Sequence, residues 1–172
     1  MREKGYTNVG MALQSYLFRS EADARRLLLD KTPIRLVKGA YMEPPDKAFP
    51  KKADVDANYD LITKIMIDAS LANQTKLSKD GRVPPIPAIA SHDDNRIAFA
   101  KSYAEKVGLT KDGLEFQMLY GIRRDLQDQL AKEGYPVRVY VPFGTHWYPY
   151  FMRRLAERPA NIWFFISNFF KA

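Results

Sequence analysis

Arg153 and Arg154 stand side by side in "YPYFMRRLAERPANIWFF", residues 148–165, a run otherwise aromatic, aliphatic and helix-forming. In a helix Tyr150, Arg153, Arg154 and Glu157 fall at i, i+3, i+4 and i+7, on one face. Two guanidinium groups suit a planar carboxylate, because each offers always-charged donors in a bidentate fork. The competing reading is a solvated helix with an exposed Arg153–Glu157 ion pair, worth a few tenths of a kcal/mol at most. Periodicity alone leaves both open.

Other chemistry-bearing residues recur at the ends of apolar segments: Gln14, Arg35 and Lys38, Ser91 and His92, Gln117, and Tyr140. Any one of these could be a satisfied core or turn residue. Five segments ending alike point to a shared polar site. The sequence has no cysteine, which excludes disulfides, thiolate metal sites and thiol nucleophiles, and two histidines do not make a histidine-rich metal centre.

The elements that must carry these residues alternate along the chain. Strands are expected over 9–17, 33–41, 84–93, 114–121 and 137–144. Helices are expected over 20–30 (Ser20 as N-cap), 54–72, 94–108 with a terminating glycine, 122–134, and the segment after the last strand. Val55, Tyr59, Ile62, Met66 and Ala69 give the second helix its apolar stripe. Apolar strands alternating with helices predict parallel βα units, in which ligands bind at the C-terminal strand ends. An open doubly wound sheet and part of a (βα)8 barrel both satisfy that pattern. No strand is followed by the GxGxxG fingerprint, which weakens the dinucleotide-binding version.

At 172 residues, 46% hydrophobic and 27% charged, the chain can bury a core as one domain. Its net charge of +7 is scattered among acids rather than gathered in a run, which argues against a nucleic-acid surface. The start lacks the apolar region of a secretory signal and no segment is long enough to span a membrane, so a cytoplasmic protein is expected. The apolar tail "IWFFISNFF" either packs on the protein or meets a lipid interface.

"RLVKGAY" (35–41), "ASHD" (90–93), "FQMLYG" (116–121), "RVYVPFGTHW" (138–147) and "YFMRRLAERPAN" (150–161) together resemble the proline dehydrogenase family, in family order, from about Val9 onward. The bacterial monofunctional form is the best likeness, since nothing resembles an aldehyde dehydrogenase half. The resemblance implies oxidation of L-proline to Δ1-pyrroline-5-carboxylate by hydride transfer to FAD, the first step of proline catabolism. Electrons then pass to a membrane quinone, which implies an enzyme peripheral to the inner membrane.

The implied fold is a (βα)8 TIM-type barrel with a last helix across its mouth. Residues 1–172 match one partial catalytic domain, about the last five βα units, and the first three strands have no counterpart. A partial or truncated sequence is therefore expected. The family's missing part supplies a lysine and an aspartate near the substrate.

By the same resemblance Arg153 and Arg154 bind the proline carboxylate, and Tyr140, Tyr150 and Leu119 pack around its ring. Arg35 and Lys38 contact the flavin, Arg35 near N5 and Lys38 on the pyrophosphate side. Gly39, Ala40 and Tyr41 line the cofactor wall, and Gln14, Ser91, His92, Gln117 and Glu157 match further FAD contacts. Asp93 stands where the family more usually has asparagine. His146 reads as structural, and no metal site and no general base is expected. Two other readings stay open: a non-catalytic fragment that folds only with a complementing chain, and nucleic-acid binding.

Overall fold

The computed structural model describes residues 4–6, 8–39, 43–141 and 143–144. Five strands, β1 (Met11–Gln14), β2 (Ile34–Val37), β3 (Pro87–Ala90), β4 (Glu115–Leu119) and β5 (Val137–Tyr140), form one sheet. Between them run α1 (Ser20–Leu29), α2 (Lys52–Asn73), α3 (Asp94–Val107) and α4 (Arg124–Lys132), with a 3-10 turn at Lys111–Gly113. Every pairing is parallel and the spatial order is β1-β2-β3-β4-β5. A doubly wound sheet reverses direction at a switch point; this one never does. Its winding is that of a (βα)8 barrel, of which these strands would be one arc.

All four helices pack on one face. Ala24 from α1, Ile62 and Met66 from α2, Ile97 from α3, and Leu126 and Leu130 from α4 share a single core with Leu13, Leu36, Ile89, Phe116 and Met118 of the sheet. Side chains alternate across a strand, so the register sends the intervening residues to the other, inner face. Ala12, Arg35, Ala88 and Glu115 make one layer there. Ala90, Gln117 and Arg138 lie in the next layer, which Gln14 and Val37 share on their own strands; Leu119 and Tyr140 lie above it.

The strands are only four or five residues long, shorter than the apolar runs suggested. Lys38, Ser91 and His92 lie just past the last residues of β2 and β3, at the C-terminal ends of those strands. Pro87 opens β3, where a missing N–H costs little. α2 begins at Lys52, two residues before the expected start at 54. Val55, Tyr59, Ile62 and Met66 are buried as the spacing predicts, and so are Asn58, Thr63 and Ser70. Asn58 spends its amide on the Ser15 carbonyl at 2.7 Å and Tyr59 its hydroxyl on the Leu36 carbonyl at 3.1 Å, tying α2 to β1 and β2.

The Ser20 cap departs from the sequence reading, whereas α3 starts at Asp94 as expected. Ser20 does not cap α1: it is the first helical residue, Arg19 holds the cap position, and the Ser20 hydroxyl donates to the Gln14 carbonyl at 2.5 Å. α3 is capped by Asp93, whose carboxylate accepts from the Asn95 N–H at 3.0 Å. Gly108 ends α3 in the left-handed conformation, as a terminal glycine should. Among the described residues no helix is long and apolar enough to cross a membrane.

Candidate active site at the strand ends

Five of the predicted site residues, Gln14, Arg35, Gln117, Leu119 and Tyr140, lie on the inner face by register. Arg35 and Gln117, 82 residues apart in sequence, meet directly: Arg35 Nε donates to Gln117 Oε1 at 2.9 Å. Two alanines, Ala88 and Ala90, separate their strands on that face. Small residues there let the Arg35 and Gln117 side chains meet over β3.

Below Gln117 lies a residue that the sequence reading passed over. Glu115 is 2% exposed, accepts from Gln117 Nε2 at 2.6 Å, and takes a two-pronged bond from Arg138 at 2.8 and 2.9 Å. The Glu115 carboxylate holds the Arg138 guanidinium above its ordinary pKa. Period-two alternation from Gln117 back to Glu115 was the available signal. A charged residue buried at the start of a strand has to be paired.

Lys38, Gly39, Ser91 and His92 occupy the C-terminal ends of β2 and β3. Lys38 Nζ sits 2.5 Å from both Asp93 and Asp56, so its cation is engaged by the cap of α3 and the N-terminal part of α2. Burial is the largest single influence and raises both carboxylates, but the hydrogen bonds and charge of Lys38, joined by Lys52 and, for Asp93, the Asn95 N–H, together outweigh it and hold them below the usual range. Asp56 also pairs with Lys52, while Arg96 pairs with Asp60 at 3.2 Å. Asp60 is pushed up by burial, and Arg96 offsets only part of that.

Gly39 has φ +111°, and a Cβ there would stand 2.2 Å from the Tyr16 ring. Its role in this structure is thus to admit Tyr16, which is buried with Ala48 and Val55.

Ser91 is buried, and its hydroxyl accepts from the Asp93 N–H at 3.1 Å. His92 accepts at Nε2 from the Leu119 N–H at 3.0 Å. Burial, then the cations Arg123 and Arg35, lower its pKa to about 4. It is therefore neutral near pH 7, with its proton on Nδ1. Arg123 was also missed. It grips Asp94 at 2.9 and 3.0 Å and Asp125 at 3.0 Å, and reaches the His92 carbonyl at 3.4 Å, fastening the turn after β3 to that after β4. Those carboxylates raise its own pKa.

Ala40, Tyr150, Arg153, Arg154 and Glu157 lie outside the described residues, as do Tyr41 and His146. Among the described residues no cluster of histidine and carboxylate groups could hold a metal ion. A cleft beside Leu77, Gly81 and Pro136 opens at the other, N-terminal end of β4 and β5, away from the polar strand ends.

Parallel βα units wound in one sense, with cationic, amide and imidazole groups at the strand ends, define an α/β scaffold of the barrel-wound class. Residues 1–165 match the proline dehydrogenase family, and the chain belongs to it. It is 48% identical over 170 residues to a proline dehydrogenase of Deinococcus radiodurans, covering 98% of this chain and 50% of that one. To proline dehydrogenase 2 of Bacillus subtilis it is 48% identical over 161 residues, 94% of this chain and 48% of the relative. The chain thus spans about half the length of the curated relatives it matches.

Among solved structures, it is similar to proline utilization A (PutA) from Bdellovibrio bacteriovorus inactivated by N-propargylglycine. The TM-score is 0.72 and the identity 33%, over 87% of this chain and 16% of that one. PutA from Corynebacterium freiburgense, 22% identical with a TM-score of 0.69 over 91% of this chain and 18% of that one, shares the fold.

Proposed function

We propose that this chain furnishes the C-terminal strand-end half of a site that oxidises L-proline to Δ1-pyrroline-5-carboxylate, with FAD as the electron acceptor and a quinone downstream. The observation that carries the reading is the Arg35–Gln117 contact on an inner face whose neighbouring positions are small. A cation, an amide and a neutral imidazole fit the chemistry of a flavin, whose ring presents both acceptors and donors. When bound, the flavin would supply the electron-pair acceptor that no amino-acid side chain provides.

The protein's own residues do the holding. Arg35 would place a fixed positive charge beside the ring, favouring added negative charge there. Gln14, Gln117, Ser91 and His92 would contribute polar contacts, and Lys38 with Gly39 and Ala40 would line the same side. Asp56 and Asp93 hold Lys38 in place from opposite helices. Glu157 belongs to this cofactor set. Arg153 and Arg154 would clamp the substrate carboxylate, and Tyr140, Tyr150 and Leu119 would enclose its ring. Fixing the substrate against its acceptor can lower a barrier by several kcal/mol. His92, neutral and accepting at Nε2, is assigned no proton abstraction. The reading places the enzyme in the cytoplasm, peripheral to the inner membrane.

A second reading is that the unit becomes competent only with further strands docked on it. What supports it is the pair of sheet edges at β1 and β5, which meet no further strand among the described residues.

Purification with added FAD, followed by proline oxidation with a soluble quinone analogue, tests both. The first reading expects a flavin band that survives gel filtration and is bleached by L-proline. A folded chain that never retains flavin overturns it. The second expects aggregation, relieved by co-expressing the N-terminal half of a relative.

A further inference from the structure

We propose that Glu115 is a positioning residue: through Gln117 it fixes how Arg35 is presented on the inner face. The consequence for flavin rests on the function proposed above; the linkage itself rests on geometry.

An ionised carboxylate can only accept hydrogen bonds. Glu115 is buried, and its Oε1 receives Gln117 Nε2 at 2.6 Å and Arg138 Nε at 2.8 Å, while Oε2 receives Arg138 Nη2 at 2.9 Å. Arg138 is itself held from below, where Nη2 donates to the Gly81 carbonyl at 2.9 Å. The carboxylate therefore stays put and offers nothing but acceptors.

Gln117 must then turn its amino group toward Glu115, which leaves Oε1 facing Arg35 Nε at 2.9 Å. Inverting the amide would set its NH2 against the Arg35 N–H and its carbonyl against the carboxylate. Both contacts would be repulsive in a part-buried setting, where such mismatches weigh most. Glu115 thereby decides which end of Gln117 meets Arg35, and anchoring Nε fixes the plane of the guanidinium. That cation's field reaches the strand ends, where it contributes to the low pKa of His92.

The test is Glu115→Gln, which keeps shape but can offer either a donor or an acceptor, so Gln117 is free to invert. The probe is hydrogen exchange of the Arg35 Nε proton by nitrogen-edited NMR. Exchange is expected to quicken about tenfold, the equivalent of one hydrogen bond of ordinary net worth. Glu115→Asp, still acceptor-only, is expected to retain most of the protection. Unchanged protection in a folded Glu115→Gln variant overturns the proposal.

Should that variant not fold, the unaltered chain decides. A strong NOE between the Arg35 Nε proton and the Gln117 amide protons is the mark of the inverted amide and overturns it; its absence, with one Gln117 amide proton shifted downfield by the carboxylate, supports it. In flavin-loaded protein Glu115→Gln is expected to shift the flavin potential and lower kcat while leaving KM for proline little changed. If the wild-type chain holds no flavin, the function proposed above falls, and the NMR arm still decides the role of Glu115.

Discussion

The backbone N–H of Leu119 donates to Nε2 of His92 across 3.0 Å, joining the end of β4 to the turn that follows β3. An imidazole that accepts there cannot carry a proton on the same nitrogen. The bond, the burial and the nearby guanidinium groups of Arg123 and Arg35 thus act together to keep His92 neutral.

A pH dependence of stability follows. The folded-state pKa of His92, about 4, lies below its ordinary 6.5, so the unfolded chain binds the proton more readily. The contribution is complete above the unfolded value and is lost as pH falls from about 6.5 toward about 4, to the extent of about 3 kcal/mol. His92→Gln keeps an acceptor for Leu119 without a titrating group. Urea midpoints measured across that window should fall steeply for wild type and more gently for the variant; parallel curves would contradict the assignment.

Gly39→Ala is expected to destabilise by about 1–3 kcal/mol, since its φ of +111° is strained for any side chain and the new methyl would strike Tyr16. Combining it with Tyr16→Ala should remove the steric part of the coupling. A thermal double-mutant cycle with no interaction energy would show that the ring is not what Gly39 admits.

Lys38→Met removes the cation that holds Asp56 and Asp93 below the carboxylate range. Depressed carboxylates stabilise the fold above their unfolded values, and that share is lost as pH falls through their folded ones. The variant should be less stable than wild type by about 1–2 kcal/mol near neutrality, given that the three side chains are partly exposed. The gap should close in strong acid. A gap constant with pH would place the loss in packing instead.

Arg154→Met is expected to raise KM for proline far more than it alters thermal stability, if the adjacent arginines bind the carboxylate as proposed. Steady-state kinetics beside a melting curve check this, and unchanged kinetics would remove Arg154 from the clamp.

Tyr59→Phe should cost about 1 kcal/mol through loss of its bond to the Leu36 carbonyl. Urea denaturation reads it, and a neutral result would mean that water replaces the hydroxyl.

Much of this was written in local pattern. Period two along each strand separates Arg35 from Leu36 and Gln117 from Phe116, so the sequence alone says that the polar set shares a face once the strands are parallel. Helical spacing does the same for Val55, Tyr59, Ile62 and Met66, and Gly108 marks where α3 stops. The order of motifs identified the family. Local pattern could not rank neighbours, however. Monotonic strand order, rather than a doubly wound sheet, depends on which strands pair, and that is a long-range choice.

The same limit hid the partners. Glu115 meets Arg138 across 23 residues and Arg35 meets Gln117 across 82, contacts that only register between strands can create. Lys38 read as a strand-end cation, whereas packing of α2 and α3 onto the sheet supplied Asp56 and Asp93 to hold it. Alternation and helical period are properties of single segments and survive in the sequence. Which donor finds which acceptor is decided where segments meet, and only the folded chain brings them there.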